Sequence, residues 1–365
     1  METMQILHVY KDYHPVLGGI ENHIKALAES QVADGHEVVV LVTNPGHRAR
    51  RETYRGVHII RAPRLATVAS TPLSLTFPLI MYWQQTDITH LHFPYPIGEL
   101  SQLLLGRARP YVITYHSDVV RQKRILRAYR PLLRAVLRGA NRILVTSDRY
   151  VRTSPFLRRF ADKCTVVPLS VNPSQFGHAE ATMPPSPVPT LLFVGRHRYY
   201  KGIDVLLQAL VDLPARLLVA GDGPMRRQWE ELAKALGVAE RTYFLGDVSD
   251  EALPGLYASG DIFVLPATSR AEAFGKVLLE AMAAGLPCVT TELGTGTSYV
   301  VQDGHTGLVV QPRRPGELSA ALRRLIDDEN LRRRLGRSGR DRVEQMFTVE
   351  KMSDRVARVY DEVLS

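Results

Sequence analysis

No run of eighteen consecutive apolar residues occurs in this 365-residue chain, so no membrane-spanning helix is expected. The longest apolar stretch, residues 73–83, is broken by polar residues and by Pro78. A secretory signal pattern is also missing, because the first residues run directly into the strand-like MQILHVY. Cysteine is scarce: Cys164 and Cys288 lie far apart and form no metal-ligand spacing. That excludes a disulfide scaffold and a zinc module, and it fits a reducing cytoplasm. Lysine is scarce too, 8 of 46 basic residues, and this arginine bias fits genome composition as well as it fits function. Short repeats and low-complexity tracts are absent.

What is present is a charge asymmetry and a regular alternation. The formal net charge of +9 divides unevenly: residues 1–172 carry 23 Lys or Arg against 12 Asp or Glu, and the remainder carry 23 against 25. A basic first half calls for an acidic partner, and nucleic acid, an anionic membrane surface or a phosphorylated lipid would each serve. Candidate strands fall at 5–10, 37–43, 57–61, 88–92, 111–115, 143–146 and 165–167, then at 190–194, 216–220, 242–245, 262–265 and 287–291. Many are continuous apolar runs, the pattern of parallel strands buried on both faces. Helical patterns separate them, so the expected architecture is doubly wound α/β. The proline-rich stretch 184–189 fits neither a helix nor a central strand. It predicts Rossmann-like domains at 1–172 and 190–348, a linker at 173–189, and a final helix near 349–365 that packs back on the first domain.

The densest constellation of chemistry lies at 261–287. A strand ends at Pro266, a short loop carries Glu272, and a helix is expected to start near Phe274. Such a start offers unpaired N–H groups and a positive dipole end to a diphosphate. Gly275 lets a ligand approach the backbone closely. Glu280 lies further along the helix, so the two carboxylates are spaced to grip different parts of an extended ligand. Spacing alone is equally consistent with an ordinary helix stopped by Gly285 and Pro287. A second group, Gly195-Arg196-His-Arg-Tyr-Tyr-Lys201-Gly202, follows the strand at 190–194. Two cations in one strand-to-helix turn suit a diphosphate, in its bound form and as it departs.

These motifs resemble the family 4 glycosyltransferases of the GT-B fold, in which two Rossmann-like domains face each other across a donor and acceptor cleft. The resemblance covers nearly the whole chain. Glu272 and Glu280 match the family's E-x7-E element, and Gly195-Arg196 with Lys201-Gly202 match its G-R…K-G element. It implies that Glu272 contacts hydroxyls of the transferred sugar, Phe274 and Gly275 contribute backbone contacts to that sugar, and Glu280 binds the ribose. Arg196 and Lys201 are assigned to the leaving diphosphate, and Val248 to the nucleobase. Gly221-Asp222-Gly223-Pro224 resembles the family's G-x-G-P turn and is given mostly a structural role. In the first half, Gly18-Gly19 occupies the family's glycine pair beside the donor. Glu21 and His23 are expected on the surface of the following helix. His116, at the end of a strand, matches a histidine that contacts the donor sugar at the reaction centre; Asp118 is placed near the acceptor.

No Asp-x-Asp occurs, so no divalent-cation clamp and no other cofactor is expected; the nucleotide-sugar is a substrate. By the same resemblance the reaction is hexosyl transfer with retention. The 291–299 segment, with Tyr115-His-Ser-Asp118 and Arg198-Tyr-Tyr-Lys201, resembles bacterial O-antigen and exopolysaccharide enzymes. Those use GDP-mannose or GDP-D-rhamnose, and mannose from GDP-mannose is the first expectation, with a UDP-sugar as the alternative. A lipid-diphosphate-linked glycan as acceptor would suit the basic half, in a cytoplasmic protein peripheral on the inner face of the membrane. The segment 122–142 carries a helical apolar stripe and seven Lys or Arg; it suits either an anionic lipid surface or a core-packed helix with a solvated arginine face. Lys276 stands where the family more often has an aliphatic residue. It either adds a cation near the diphosphate or is merely exposed. A nucleotide-sugar epimerase is the rival enzyme class, but the motif order favours transfer. Nucleic-acid binding lacks a recognised motif or aromatic interleaving.

Overall fold

A computed structural model describes residues 3–16, 18–68, 71–106, 110–118 and 123–365, with the side chains of 123–128 excepted. The chain separates into two compact units, Met1–Leu169 together with Val349–Ser365, and Ser170–Thr348.

The first unit contains β1 (Gln5–Val9), β2 (Glu37–Thr43), β3 (Arg50–Tyr54), β4 (Val57–Ala62), β5 (Ala66–Val68), β6 (Thr71–Leu73), β7 (Ile88–Phe93), β8 (Tyr111–Tyr115), β9 (Arg142–Val145) and β10 (Cys164–Val166). Eight of them form one sheet in the order β10-β9-β8-β7-β1-β2-β4-β3, and β5 pairs with β6 separately. Every pairing in the large sheet is parallel except that of β3 with β4. β7 is buried along its whole length, as a central strand covered on both faces must be. β3 reads RRETY and carries no apolar alternation, which is why the sequence pattern did not reveal it. The helix Gly19–Ala33 lays His23, Ile24, Leu27, Ala28 and Gln31 onto the interior, a helical stripe. The closing helix Val349–Leu364 buries Met352, Val356, Val359 and Tyr360 and packs against that first helix.

The second unit holds β11 (Thr190–Val194), β12 (Arg216–Ala220), β13 (Thr242–Gly246), β14 (Ile262–Leu265), β15 (Cys288–Thr291) and β16 (Gly307–Val310). They form an all-parallel sheet in the order β13-β12-β11-β14-β15-β16. The proline-rich stretch before β11 has neither helix nor strand. The preceding N–H groups of Thr182 and Met183 donate to Ser259 Oγ, which ties that segment to the second unit. In both sheets the strand order reverses beside the unit's first strand, between β1 and β7 and between β11 and β14. The crevice beyond the carboxyl ends of such a pair is where open α/β sheets bind ligands.

Two local expectations change. The helix of the densest motif begins at Lys276 rather than near Phe274, because Gly275 adopts a left-handed conformation at its N-cap. The basic segment, where Pro131 predicts a kinked or split helix, is a single helix, Lys123–Gly139, that runs through the proline. Its Leu133, Val136 and Leu137 are buried in the unit, while Arg130 and Arg138 are exposed. Gln122 and the side chains of Lys123, Arg124 and Arg127 lie outside the described residues.

Candidate active site

The two strands at the switch point of the second unit deliver its charged groups. β11 leads into Gly195 and Arg196, then into a 3-10 turn, Tyr199–Lys201, closed by Gly202. β14 leads through Pro266 and Thr268 to Glu272. Gly202 has φ 73°, and a Cβ there would run into the Pro266 carbonyl oxygen, so the turn sits directly on the end of β14. The Thr268 N–H donates to the Tyr200 carbonyl at 2.7 Å and joins the two loops. Lys201 Nζ then lies 2.6 Å from a Glu272 carboxylate oxygen, with each side chain only 10% exposed. Gly195 lies beside the ammonium: a Cβ there would stand 3.4 Å from Nζ, in van der Waals contact. Burial pushes the Lys201 ammonium toward its neutral form. Glu272, Tyr200 and Glu280 outweigh that effect and hold its pKa above the ordinary lysine value. Arg196 is exposed and makes no ion pair among the described residues.

The glycine turn after β12 explains itself by close approach. A Cβ on Gly221 would collide with the Gly195 carbonyl oxygen, and one on Gly223 would lie 2.7 Å from the His197 carbonyl oxygen. His197 N–H donates to the Asp222 carbonyl at 2.9 Å, so this turn backs the Arg196 loop. His197 itself is buried among Phe193, Trp229 and Phe244. Val248, half-buried, follows β13 on the same side of the sheet order.

The turn carrying Glu272 is clamped by a segment that sequence reasoning used only as a family marker. Thr295 Oγ1 donates to the Glu272 carbonyl at 2.9 Å, and the Gly296 N–H donates to the Ala273 carbonyl at 2.8 Å. Gly296 lies so close to Phe274 that any side chain would strike its ring. Phe274 is buried against Phe347. The Phe274 and Gly275 N–H groups make no hydrogen bond among the described residues. Glu280 accepts from Tyr257 Oη at 2.8 Å, and Lys276 Nζ stands 3.7 Å from its other oxygen. Lys276 is therefore neither simply exposed nor unattached: its partner is Glu280, one helical turn away.

In the first unit, Gly18 and Gly19 open the helix Gly19–Ala33 after β1. A Cβ on Gly18 would meet the Glu21 carboxylate, whereas Gly19 has open space around it. Glu21 and His23, expected on the helix surface, are buried because their helix face lies on the sheet. His116 follows β8 and is buried, with Nε2 3.1 Å from His92 Nδ1. Asp118 Oδ1 accepts from Tyr115 Oη at 2.9 Å and from Ser154 Oγ at 2.8 Å, and its N–H donates to Tyr150 Oη at 2.6 Å. The structure thus joins Arg196, Lys201, Glu272, Phe274, Gly275 and Glu280 into one neighbourhood of the second unit. Gly18, Gly19, His116 and Asp118 belong to the first. Sequence reasoning missed the histidines that surround His116, because they come from separate strands and a helix.

Residues 17–175 match the model of Glycosyltransferase Family 4, and residues 179–342 match that of Glycosyl transferases group 1. The chain is 35% identical to a D-rhamnosyltransferase, WbpZ, of Pseudomonas aeruginosa, over 94% of this chain and 92% of that one. It is 32% identical to an O-antigen chain mannosyltransferase C of Escherichia coli, over 99% of each. Among solved structures, a sucrose-phosphate synthase from Thermosynechococcus elongatus aligns with a TM-score of 0.82 at 23% identity, covering 98% of each chain. Anabaena HepE in complex with UDP-glucose aligns at 0.78 and 18% identity, covering 98% of this chain and 100% of that one. At these identities the structural matches speak for the fold alone.

Proposed function

This chain belongs to the family 4 glycosyltransferases, with the GT-B fold, and on that premise we propose that it is a retaining hexosyltransferase acting in bacterial surface-polysaccharide synthesis. Its donor is GDP-mannose and its acceptor a lipid-diphosphate-linked glycan. The observation that carries this reading is the buried Lys201–Glu272 pair at the switch point of the second unit. A carboxylate and an ammonium held together at such a crevice suit a ligand with hydroxyls at one end and a diphosphate beside them. In this reading Glu272 receives the sugar hydroxyls. The N–H groups of Phe274 and Gly275 contact the same sugar, and Lys201 and Arg196 take the diphosphate without a metal ion. Tyr257 orients Glu280 toward the ribose, and Val248 meets the base.

For the chemistry, the departing diphosphate accepts the acceptor's proton while the new bond forms on the same face of the sugar. Lys201 and Arg196 stabilise the charge that develops on the leaving group. In the first unit His116 contacts the donor sugar, the Gly18-Gly19 backbone lies beside the donor, and Asp118 stands near the acceptor hydroxyl. GDP-D-rhamnose is the second donor reading, favoured by the 35% identity to a D-rhamnosyltransferase. The test is acceptor-dependent release of nucleoside diphosphate from GDP-mannose, GDP-D-rhamnose and UDP-glucose, with the product's anomeric configuration read by NMR. GDP-sugar turnover and a retained anomer are expected. Turnover of the UDP-sugar alone contradicts the donor, and an inverted anomer contradicts the mechanism.

We also propose that the first unit rests on an anionic membrane surface. No helix among the described residues is long and apolar enough to cross a membrane. The helices Phe77–Tyr82 and Pro96–Leu105 pack together, and they and their flanks expose Leu75 (79%), Trp83 (71%) and Leu104 (67%). The basic helix Lys123–Gly139 packs against Pro96–Leu105, and exposed apolar side chains near a basic helix suit an interfacial site. Trp83→Ser with Leu104→Ser is expected to abolish sedimentation with anionic vesicles; unchanged sedimentation would refute the surface.

A further inference from the structure

The interior of the first unit contains His8, His23, His90, His92 and His116, none more than 5% exposed. β1 and β7 pair with His8 opposite His90, and β7 and β8 pair with His92 opposite Thr114. Alternation along the strands then puts His90, His92, Thr114 and His116 on one sheet face, beneath Gln31 of the first helix and Tyr360 of the last.

Four of these groups form a single hydrogen-bonded line. Gln31 Oε1 lies 2.7 Å from His8 Nε2, His8 Nδ1 lies 3.0 Å from His92 Nε2, and His92 Nδ1 lies 3.1 Å from His116 Nε2. At the far end His116 Nδ1 is buried and has no partner among the described residues. At the near end the Gln31 amide nitrogen donates to Tyr360 Oη at 3.4 Å, so its carbonyl oxygen faces His8. Tyr360 Oη is in turn 2.6 Å from His90 Nδ1, and His90 Nε2 is 2.6 Å from Thr114 Oγ1.

A neutral imidazole has one N–H and one lone pair, so a partner at one nitrogen dictates the other. Burial disfavours the charged form of each ring: His8 is held down to about 4, and His92 and His116 are also well below the ordinary value. A carbonyl oxygen can only accept, so His8 donates from Nε2 and keeps its lone pair on Nδ1. His92 must then donate from Nε2, and His116 from Nε2 in turn. We propose that Gln31, His8 and His92 are positioning residues that fix the tautomer of His116, so that it presents the Nδ1 lone pair as an acceptor to a hydroxyl of the donor sugar. The proposal rests on the reading of His116 as a donor-sugar contact. A buried lone pair without a donor is uncommon in folded proteins unless a ligand supplies one.

A metal ion is the competing explanation, since ligand atoms of His8, His90 and His92 lie within 4.8 Å of one another, and so do those of His23, His92 and His116. Every ring nitrogen of His8, His90 and His92 already has a hydrogen-bond partner in the protein, which a metal would have to displace; in the second group a metal would likewise have to displace a partner of His92.

The test uses the full chain labelled with ring-15N histidine, whose shifts separate protonated from bare nitrogens; the His116 signal is identified by its loss in His116→Asn. In the wild type His116 should carry its proton on Nε2. Gln31→Leu should turn His116 into a mixture of tautomers and lower GDP-mannose turnover roughly tenfold, the scale of one neutral hydrogen bond. In a His92→Phe background, Gln31→Leu should lower turnover no further. A proton on His116 Nδ1 in the wild type overturns the proposal. So does a tautomer indifferent to Gln31→Leu, or one equivalent of bound metal in the purified protein. Full transfer by His116→Asn, with the wild-type tautomer as predicted, overturns the donor-contact reading instead. If Gln31→Leu does not fold, the wild-type spectrum still decides the polarity of the line.

Discussion

Lys201→Met is expected to lower transfer by about 10²–10³, the scale on which removal of one preorganised charge-stabilising group acts. It is also expected to destabilise the fold, by about 3–5 kcal/mol, because it leaves the Glu272 carboxylate buried without its cation. Arg196→Ala provides the contrast. That side chain is exposed and makes no ion pair among the described residues, so its loss should change stability by less than about 0.5 kcal/mol. Its transfer activity should nevertheless fall. Thermal melts beside turnover measurements separate the two: a lowered midpoint with lost activity for Lys201→Met, and an unchanged midpoint with lost activity for Arg196→Ala. Adding Glu272→Gln to Lys201→Met should recover part of the stability and none of the activity. Lys201→Met with a wild-type midpoint would mean that the pair is solvated.

The pH dependence has a definite sign. Lys201 is held above the ordinary lysine pKa of about 10.4, so its contribution to stability is fully present below that value. It is lost only as pH rises through the higher folded value. Between roughly pH 6 and 9 the ammonium should therefore not titrate, and any fall in activity in that window has another origin.

Gly202→Ala should be the most damaging small substitution in the second unit. Its left-handed conformation alone costs a non-glycine residue about 1–3 kcal/mol. The added Cβ would also strike the Pro266 carbonyl oxygen, and neither backbone can yield without separating the Lys201 turn from the end of β14. Both stability and transfer should suffer. Gly237→Ala is the matched control: φ is 71° there, but nothing lies within 4 Å of the new Cβ. It should pay the conformational cost and keep wild-type specific activity. Equal loss of activity in both variants would show that strain, rather than contact with β14, is responsible.

Much of this organisation was legible in the sequence because parallel strands buried on both faces read as unbroken apolar runs. β11 is TLLFV and β14 is IFVL, and each is buried throughout. β3 was not legible, since an edge strand in contact with solvent needs no apolar pattern. The charged motifs Gly195–Gly202 and Glu272–Glu280 could be recognised separately. Their meeting could not, because it depends on β11 and β14 being neighbours, a fact of strand order. The same holds for the histidine line, assembled from β1, β7, the end of β8 and a helix. Thr295 and Gly296 looked like a signature of the donor, whereas their hydrogen bonds and close packing hold the Glu272 turn in place. Lys276 looked anomalous until its partner Glu280 was in view.

Calorimetric titration of GDP, then UDP and ADP, into the wild-type and Lys201→Met chains bears most directly on the donor site. GDP should bind the wild type in preference to UDP and ADP, and Lys201→Met should weaken it at least tenfold, the effect of losing one charge-assisted hydrogen bond of about 1.5–3 kcal/mol. Wild-type GDP affinity in Lys201→Met, or no binding of any nucleoside diphosphate to the wild type, would contradict a donor site built around Lys201 and Glu272.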